Sequence, residues 1–415
     1  MPSPVAIHYG TRTISHVELT ERVGAECQRM RSAGVQPGQR VALRCGAGPQ
    51  ALIGQLALLA GGALLIPLPA TYTDAESAAV VERCNVEWLV TSGGYQATDR
   101  NAVQRSAALG LLSSGSSGSP KLVLISAPQF AASLDIYRRS LDLSPDDRLL
   151  TLVPLSHAFG LRFVHATLAA GGSVVLPTSL LPRAVVEQAN GATLIAAGPR
   201  YIELLSDRSF PGVRAVVAGG ALAAHVHAAF TGAPLWQSYG ASEAGTICLN
   251  RAGFAVDGRL ALGRPNPGVT VELRDTEIVV RSAAVGIGYD GDSGDSAIVE
   301  GEFRSGDLGR WQDGQLVFLG RRKLLIDTGA ARVDPAEVEA VLRTHPRIRD
   351  AAVIGEGRAG AEVVTALLVV SDPLALLEVT AWCAQHLAPQ KIPRRVEYRD
   401  VLPRDALGKL RRDQL

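Results

Sequence analysis

The sequence predicts an α/β protein: a large N-terminal domain of doubly wound βα subdomains plus a small β-barrel, followed by a small mobile α+β domain. Three observations carry that prediction. Apolar runs of strand length alternate with runs of helical period from the start of the chain to about residue 240. Between 269 and 289 the apolar period shortens to two (Val269, Val271, Leu273, Ile278, Val280), with glycine turns and no helical pattern. Helix and strand patterns then resume after residue 333, over a length of about ninety residues that suits a separate compact unit.

The 415 residues are 47% apolar and 20% charged, with a net charge of +1. That balance leaves no field for nucleic acid or an anionic membrane, so small-molecule chemistry is expected. Cys27, Cys45, Cys84, Cys248 and Cys383 are scattered and never spaced Cys-x-x-Cys, which argues against a disulfide framework or a zinc site and fits a reducing cytosol. No charged segment followed by an apolar one opens the chain, so no signal peptide is expected.

The first hundred residues read as helix 17–33, strand 40–44, a helix led by Leu52, Leu56 and Leu59, strand 64–66, helix 75–84 and strand 87–91. Residues 51–68 match a membrane span by apolar count alone. Gly61-Gly62 splits that run and Pro67 and Pro69 end it, so a buried helix followed by a buried parallel strand is expected.

Residues 113–121 read Ser-Ser-Gly-Ser-Ser-Gly-Ser-Pro-Lys between two apolar segments, which predicts a turn between strands. Composition alone also fits a flexible linker. The flanking strands favour a phosphate cradle: Gly115 and Gly118 admit a ligand to the backbone, while Ser113, Ser114, Ser116 and Ser117 offer hydroxyls. Lys121 would add a compact charge, and it is one of only four lysines among 41 basic residues. The loop is not a Walker A motif, because Pro120 stands where the second glycine would be needed.

Helix 129–141 and strand 147–151 lead into Pro-Leu-Ser-His-Ala-Phe-Gly-Leu at 154–161. His157 and Phe159 thus follow a strand's carboxyl end, where open α/β sheets place ligands, although a structural histidine fits the bare motif equally. Strands 173–176, 194–197 and 213–217 follow, the second ending at Gly198-Pro199 with Tyr201 beyond, the third at Gly219-Gly220-Ala221. Those glycines suit either a flat ligand or a tight turn. His225 and His227, two apart on a helix, face opposite sides and are discounted as metal ligands. Strand 235–238 runs into Tyr239-Gly240-Ala241-Ser242-Glu243, a set able to stack a base, bind phosphate and hold a hard cation. Beyond the β-rich part come Ser305-Gly306-Asp307, a hairpin signal at 311–315 and Gly320-Arg321-Arg322-Lys323. Helix 333–344, strands 351–354 and 363–370 and helix 374–386 precede the closing Leu-Gly-Lys at 407–409.

Taken in order, these stretches resemble the adenylate-forming superfamily: acyl- and aryl-CoA synthetases, stand-alone adenylation enzymes, peptide-synthetase adenylation domains and firefly luciferase. The resemblance implies that a carboxylate attacks the α-phosphate of ATP to give acyl-AMP and pyrophosphate, after which a thiol displaces AMP. It implies Mg²⁺ on Glu243, phosphate contacts from residues 113–121 and Ser242, and adenine against Gly219, Gly220, Ala221, Tyr239 and Gly240. Ribose would be held by Asp307 with support from Arg321, and Lys409 would be the catalytic lysine. Substrate would lie against His157, Phe159, Gly198, Tyr201, Tyr239 and Gly245. The domains implied are 1–320 and 324–415, with a hinge at 321–323 centred on Lys323. Swivelling there would bring Lys409 and the serine loop onto one triphosphate.

The chain departs from the family pattern at Leu122 (usually glycine), Ser242 (threonine), Asp327 (often lysine) and Gly329-Ala330, and residues 71–112 are short beside most relatives. Peptide-synthetase domains for α-amino acids carry aspartate after the gating phenylalanine, whereas Phe159 is followed by Gly160. An aryl or short to medium acyl acid is therefore expected, with CoA as the thiol. The phosphopantetheine of a carrier protein is the alternative acceptor, and a catalytically reduced nucleotide-binding protein the alternative class.

Overall fold

The computed structural model describes residues 4–100, 106–113, 121–220, 222, 224–256, 259–291, 297–328, 332–358, 362–404 and 410–415. Two large sheets form the body of the chain, each parallel in its centre and antiparallel at its edges. In the nine-stranded sheet the strands run Arg264–Pro265, Gly245–Asn250, Leu235–Ala241, Ala215–Gly219, Leu194–Ala197, Arg148–Thr151, Ser173–Val175, Val5–Tyr9 and Arg12–Ser15. Its central strands are apolar along their whole length because both faces are covered: every residue of Leu194–Ala197 is buried. The seven-stranded sheet runs Gly288–Tyr289, Lys121–Ile125, Leu109–Ser113, Leu64–Pro69, Arg40–Cys45, Trp88–Thr91 and Gly94–Ala97.

Local chemistry sets the element ends. The first helix, His16–Ala33, is capped by the Ser15 hydroxyl, which accepts from Glu18 N at 3.2 Å, and is stopped by Gly34 at φ 105°. The apolar stretch 51–68 is, as expected, a buried helix (Pro49–Ala60) and a buried strand (Leu64–Pro69) in the middle of the seven-stranded sheet. Among the described residues no helix is long and apolar enough to cross a membrane.

The β-rich part is a five-stranded antiparallel sheet built on Val269–Arg274, Glu277–Ser282, Glu302–Gln312, Ile298–Val299 and Gln315–Arg321. Its long hairpin turns at Asp313-Gly314, both at positive φ (51° and 71°), the pairing that matches strand twist. The run expected to end this part at Tyr289 leaves it instead: Gly288–Tyr289 pairs antiparallel with Val123 and Leu124 of the seven-stranded sheet. The C-terminal part packs helices Pro335–Arg343 and Leu376–Ala384 on the strands Ile348–Glu356, Val363–Val370 and Arg395–Tyr398 around its own apolar cluster.

Candidate active site

Strand register brings the motifs to one edge. Thr151 lies opposite Ala196, Ala197 opposite Ala218, and Gly219 opposite Ser238 in adjacent parallel strands. The ends of these strands and the segments that follow them, carrying His157 and Phe159, Gly198, Gly220, and Tyr239 to Glu243, therefore emerge side by side at the carboxyl end of the sheet. His157 caps the helix Ala158–Ala169, its Nδ1 accepting from Phe159 N at 3.2 Å, which places the ring proton of the neutral form on Nε2.

Phe159 lies flat on Gly219: a Cβ built there would stand 2.6 Å from the ring's Cδ1. Gly160 is equally constrained, since a Cβ would meet Pro154 O at 2.7 Å and Val153 O at 2.9 Å. A buried pair supports this turn from behind. Gln55 Nε2 donates to Leu155 O at 2.8 Å, and its Oε1 accepts from His165 Nε2 at 3.0 Å. Burial lowers the pKa of His165 to about 4, so the imidazole is neutral.

A second cluster joins the nine-stranded sheet to the five-stranded one. Asp307, 5% exposed, accepts from Tyr239 Oη at 2.8 Å on one carboxylate oxygen and from Arg321 Nε at 2.7 Å on the other. Its backbone N donates to Ser305 Oγ at 3.0 Å. Burial drives the Tyr239 phenol well above its usual pKa, with the Asp307 charge adding to the shift. Burial alone would lower the pKa of Arg321, but Asp307, Tyr239 and Glu243 together outweigh it and raise the group. Each Asp307 oxygen keeps a second lone pair, the acceptor set a diol needs.

The third cluster joins the nine- and seven-stranded sheets. Glu243 is buried and accepts from Tyr289 Oη at 2.9 Å, while Lys121 Nζ lies 4.8 Å from the centre of the Tyr289 ring. Gly286 N donates to Glu243 O at 2.8 Å. Beneath them Arg162, 1% exposed, donates from Nη2 to Ser242 O at 2.8 Å and from Nη1 to Ala241 O at 3.5 Å. Burial lowers the Arg162 pKa against the pull of Tyr137 and Glu243.

This donor set fits magnesium of one kind. Among the described residues no three acidic, His or Cys side chains gather into a cage. Glu243 offers one carboxylate oxygen that has no hydrogen bond among the described residues. A hard cation held by one carboxylate, with substrate phosphates supplying further oxygens, is the usual magnesium arrangement.

Ser114 to Gly118, Ala221 and Lys409 fall outside the described residues. Ser113 pairs with Lys121 across the mouth of the hairpin. Gly198 caps the helix Pro199–Leu204, and Tyr201 on that helix packs on the apolar cluster beneath it. Gly245 takes φ 72° beside Arg162. Lys323 lies in a single 3₁₀ turn, Arg322–Leu324, just after the strand Gln315–Arg321. The C-terminal segment approaches the large domain: Arg404 lies within electrostatic reach of Glu203, and Arg411 within reach of Tyr72 and Glu76.

Sequence reading missed Tyr289, Arg162 and Gln55. Arg162 did leave a signal, as the one arginine in the mostly apolar helix Ala158–Ala169.

Comparison with known proteins agrees with this layout. The model of the AMP-binding enzyme family matches residues 1–111 and 99–289, and that of the AMP-binding enzyme C-terminal domain matches 337–409. A 2-succinylbenzoate–CoA ligase of Bacillus cereus (strain AH820) is 27% identical over 462 aligned positions, covering 100% of this chain and 95% of the relative. That alignment is longer than this chain's 415 residues, so the relative carries segments absent here. Among solved structures, the O-succinylbenzoate CoA synthetase of Bacillus subtilis in complex with ATP and magnesium ion superposes with a TM-score of 0.90 at 25% identity, covering 100% of this chain and 97% of the other. The amide bond synthetase McbA of Marinactinospora thermotolerans gives 0.82 at 28% identity, covering 98% and 95%. With more than half its length matched by the first of these models, the chain belongs to the AMP-binding enzyme family, within the adenylate-forming superfamily of AMP-forming acid–thiol ligases.

Proposed function

We propose that the chain activates an aromatic or short to medium acyl acid lacking an α-amine, and passes the acyl group to CoA. The observation that carries the acid class is the floor of the gate. Phe159 covers Gly219, and Gly160 has backbone carbonyls where any side chain would begin, so no acid can stand there to pair a substrate ammonium. The CoA acceptor rests on the relatives, which are named CoA ligases. A reducing, cytoplasmic setting is consistent with five unpaired cysteines.

In the first step a carboxylate oxygen attacks the α-phosphorus, the bond to the β-phosphate breaks and pyrophosphate leaves. Two anions must meet, so catalysis is positioning and charge neutralisation. Asp307 would accept the ribose hydroxyls, held in place by Tyr239 and Arg321. Ser242 would hydrogen-bond phosphate, its backbone anchored by Arg162. Lys121 and residues 113–118 would cradle the β- and γ-phosphates, and Glu243 would hold the magnesium. Magnesium, when bound, supplies charge neutralisation on the phosphate oxygens. Lys409 would reach over from the C-terminal domain, taken as 324–415 against 1–320, with residues 321–323 as the hinge. In the second step the thiol sulfur attacks the acyl carbonyl carbon, AMP departs, and the thiol proton passes to solvent.

Pyrophosphate exchange with a panel of acids tests the reading, with 2-succinylbenzoate, benzoates, C4 to C8 fatty acids and α-amino acids as members. Exchange with an aryl or acyl acid and none with α-amino acids is expected. Exchange confined to α-amino acids would overturn the acid class, and none with any acid would favour a nucleotide-binding protein without this activity. Product analysis with CoA, a holo carrier protein and an amine then identifies the acceptor. Thioester on CoA is expected; acyl transfer only to the carrier protein or only to the amine would overturn it.

A further inference from the structure

The segment Gly288–Tyr289 is pinned where it could serve both halves of the phosphate site. It pairs with Val123 and Leu124, two residues beyond Lys121. Ile287 N donates to Leu124 O and Asp290 N to Leu122 O, at 2.8 and 2.9 Å. The next side chain, Asp290, is gripped by both terminal nitrogens of Arg40 (2.5 and 2.9 Å), an arginine 4% exposed. These bonds fix the Tyr289 backbone independently of its hydroxyl. The hydroxyl donates to Glu243 Oε1, and the same ring presents its face to the Lys121 ammonium.

We infer that Tyr289 is a positioning residue that couples the cation site to the phosphate loop, orienting the Glu243 carboxylate through its hydroxyl and seating Lys121 on its ring. The inference rests on the nucleotide reading of the site given above. Its physical basis is twofold. A ligating carboxylate is oriented by the hydrogen bond on its other oxygen, and losing such a partner typically weakens metal binding by about 10- to 100-fold. An ammonium over an aromatic face is held by the ring quadrupole, an interaction of modest strength near solvent. One side chain then sets the spacing between the cation and the lysine that share a triphosphate.

The test uses the full chain with Mn²⁺ and α,β-methylene-ATP as probes. Free Mn²⁺ is followed by its electron paramagnetic resonance signal, and nucleotide binding in EDTA by calorimetry. Tyr289→Phe keeps the ring and removes the hydroxyl. It is expected to weaken Mn²⁺ binding to the protein–analogue complex about ten-fold or more, leaving analogue binding in EDTA unchanged. Unaltered Mn²⁺ affinity would overturn the inference, and so would equal weakening with and without Mn²⁺, which marks a packing role. Lys121→Gln and Tyr289→Leu, singly and combined, test the other arm. Tyr289→Leu should weaken analogue binding in EDTA about three-fold, and the combined loss should be no larger than that of Lys121→Gln alone; losses that simply add would remove the ring–ammonium half of the coupling. Failure of the unaltered protein to bind the analogue at all would overturn the nucleotide reading and this inference with it.

Discussion

Asp307 carries two hydrogen bonds within the protein and has lone pairs for two more, so its worth to a nucleotide can be isolated by substitution. Asp307→Ala should weaken ATP binding about 10- to 100-fold, the loss expected for hydrogen bonds to a charged acceptor. Calorimetric titration with ATP checks this, and a change under two-fold would contradict the assignment. Gly219→Ala should displace the Phe159 ring, because no Cβ can stand 2.6 Å from it. The acid's KM is expected to rise several-fold, read from exchange kinetics, and an unchanged KM would contradict placing the acid against Phe159. At this scale the sequence singles out Tyr239, Ser242, Glu243 and Asp307 as candidates, because they are reactive side chains close to glycines at strand ends. It was silent on their partners. Tyr289 lies 46 residues from Glu243 and Arg162 lies 80 from Ser242, and only the assembled sheets bring such distant groups together.

The helix Ala158–Ala169 and its neighbour Pro49–Ala60 share a buried polar contact that makes the fold sensitive to acid. His165 is held neutral, its pKa lowered to about 4 from an ordinary 6.5 by burial. Above pH 6.5 folded and unfolded chains bind the same number of protons at this group. As pH falls from 6.5 towards 4 the unfolded chain takes up a proton that the folded chain refuses, so stability is lost across that window. The loss amounts to about 3 kcal/mol on a scale of 1.36 per pKa unit. Urea unfolding of the wild type between pH 7 and 4.5 should show this fall, and His165→Gln should flatten it; an equally steep slope in the variant would exclude His165 as its source. Element types and most boundaries could be read from the chain, since caps such as Ser15 and Gly34 and the Asp313-Gly314 turn act within a few residues. Strand order could not. The N-terminal strand Val5–Tyr9 pairs with Ser173–Val175, and Gly288–Tyr289 with Lys121–Ile125, and no local period encodes a partner that far away.

At the scale of the whole molecule, the C-terminal segment approaches the large domain through charges carried by different elements. Arg404 is tied to its own domain by Asp350, at 2.5 and 2.8 Å, and within electrostatic reach of Glu203 on the helix Pro199–Leu204. Arg411, beyond the other end of residues 405–409, lies within reach of Glu76 on the helix Asp74–Arg83. On the function proposed above, with Lys409 reaching the nucleotide and the small domain turning about residues 321–323, these two electrostatic attractions would favour the posture that makes acyl-AMP and would be lost on rotation. Reversing the two charges on the large domain, Glu203→Arg with Glu76→Arg, should therefore bias the molecule against acyl-AMP formation and spare thioester formation. Exposed pairs of this kind are individually weak, so a two- to five-fold drop in pyrophosphate exchange is expected. Transfer from preformed acyl-AMP to CoA should be unchanged or faster. The wild type should also lose exchange activity as salt rises past about 0.15 M, where such charges are screened, while the doubly reversed variant gains with salt because its new repulsions are screened instead. Equal loss of both half-reactions, or matching salt curves, would mean that these charges do not choose between the two postures.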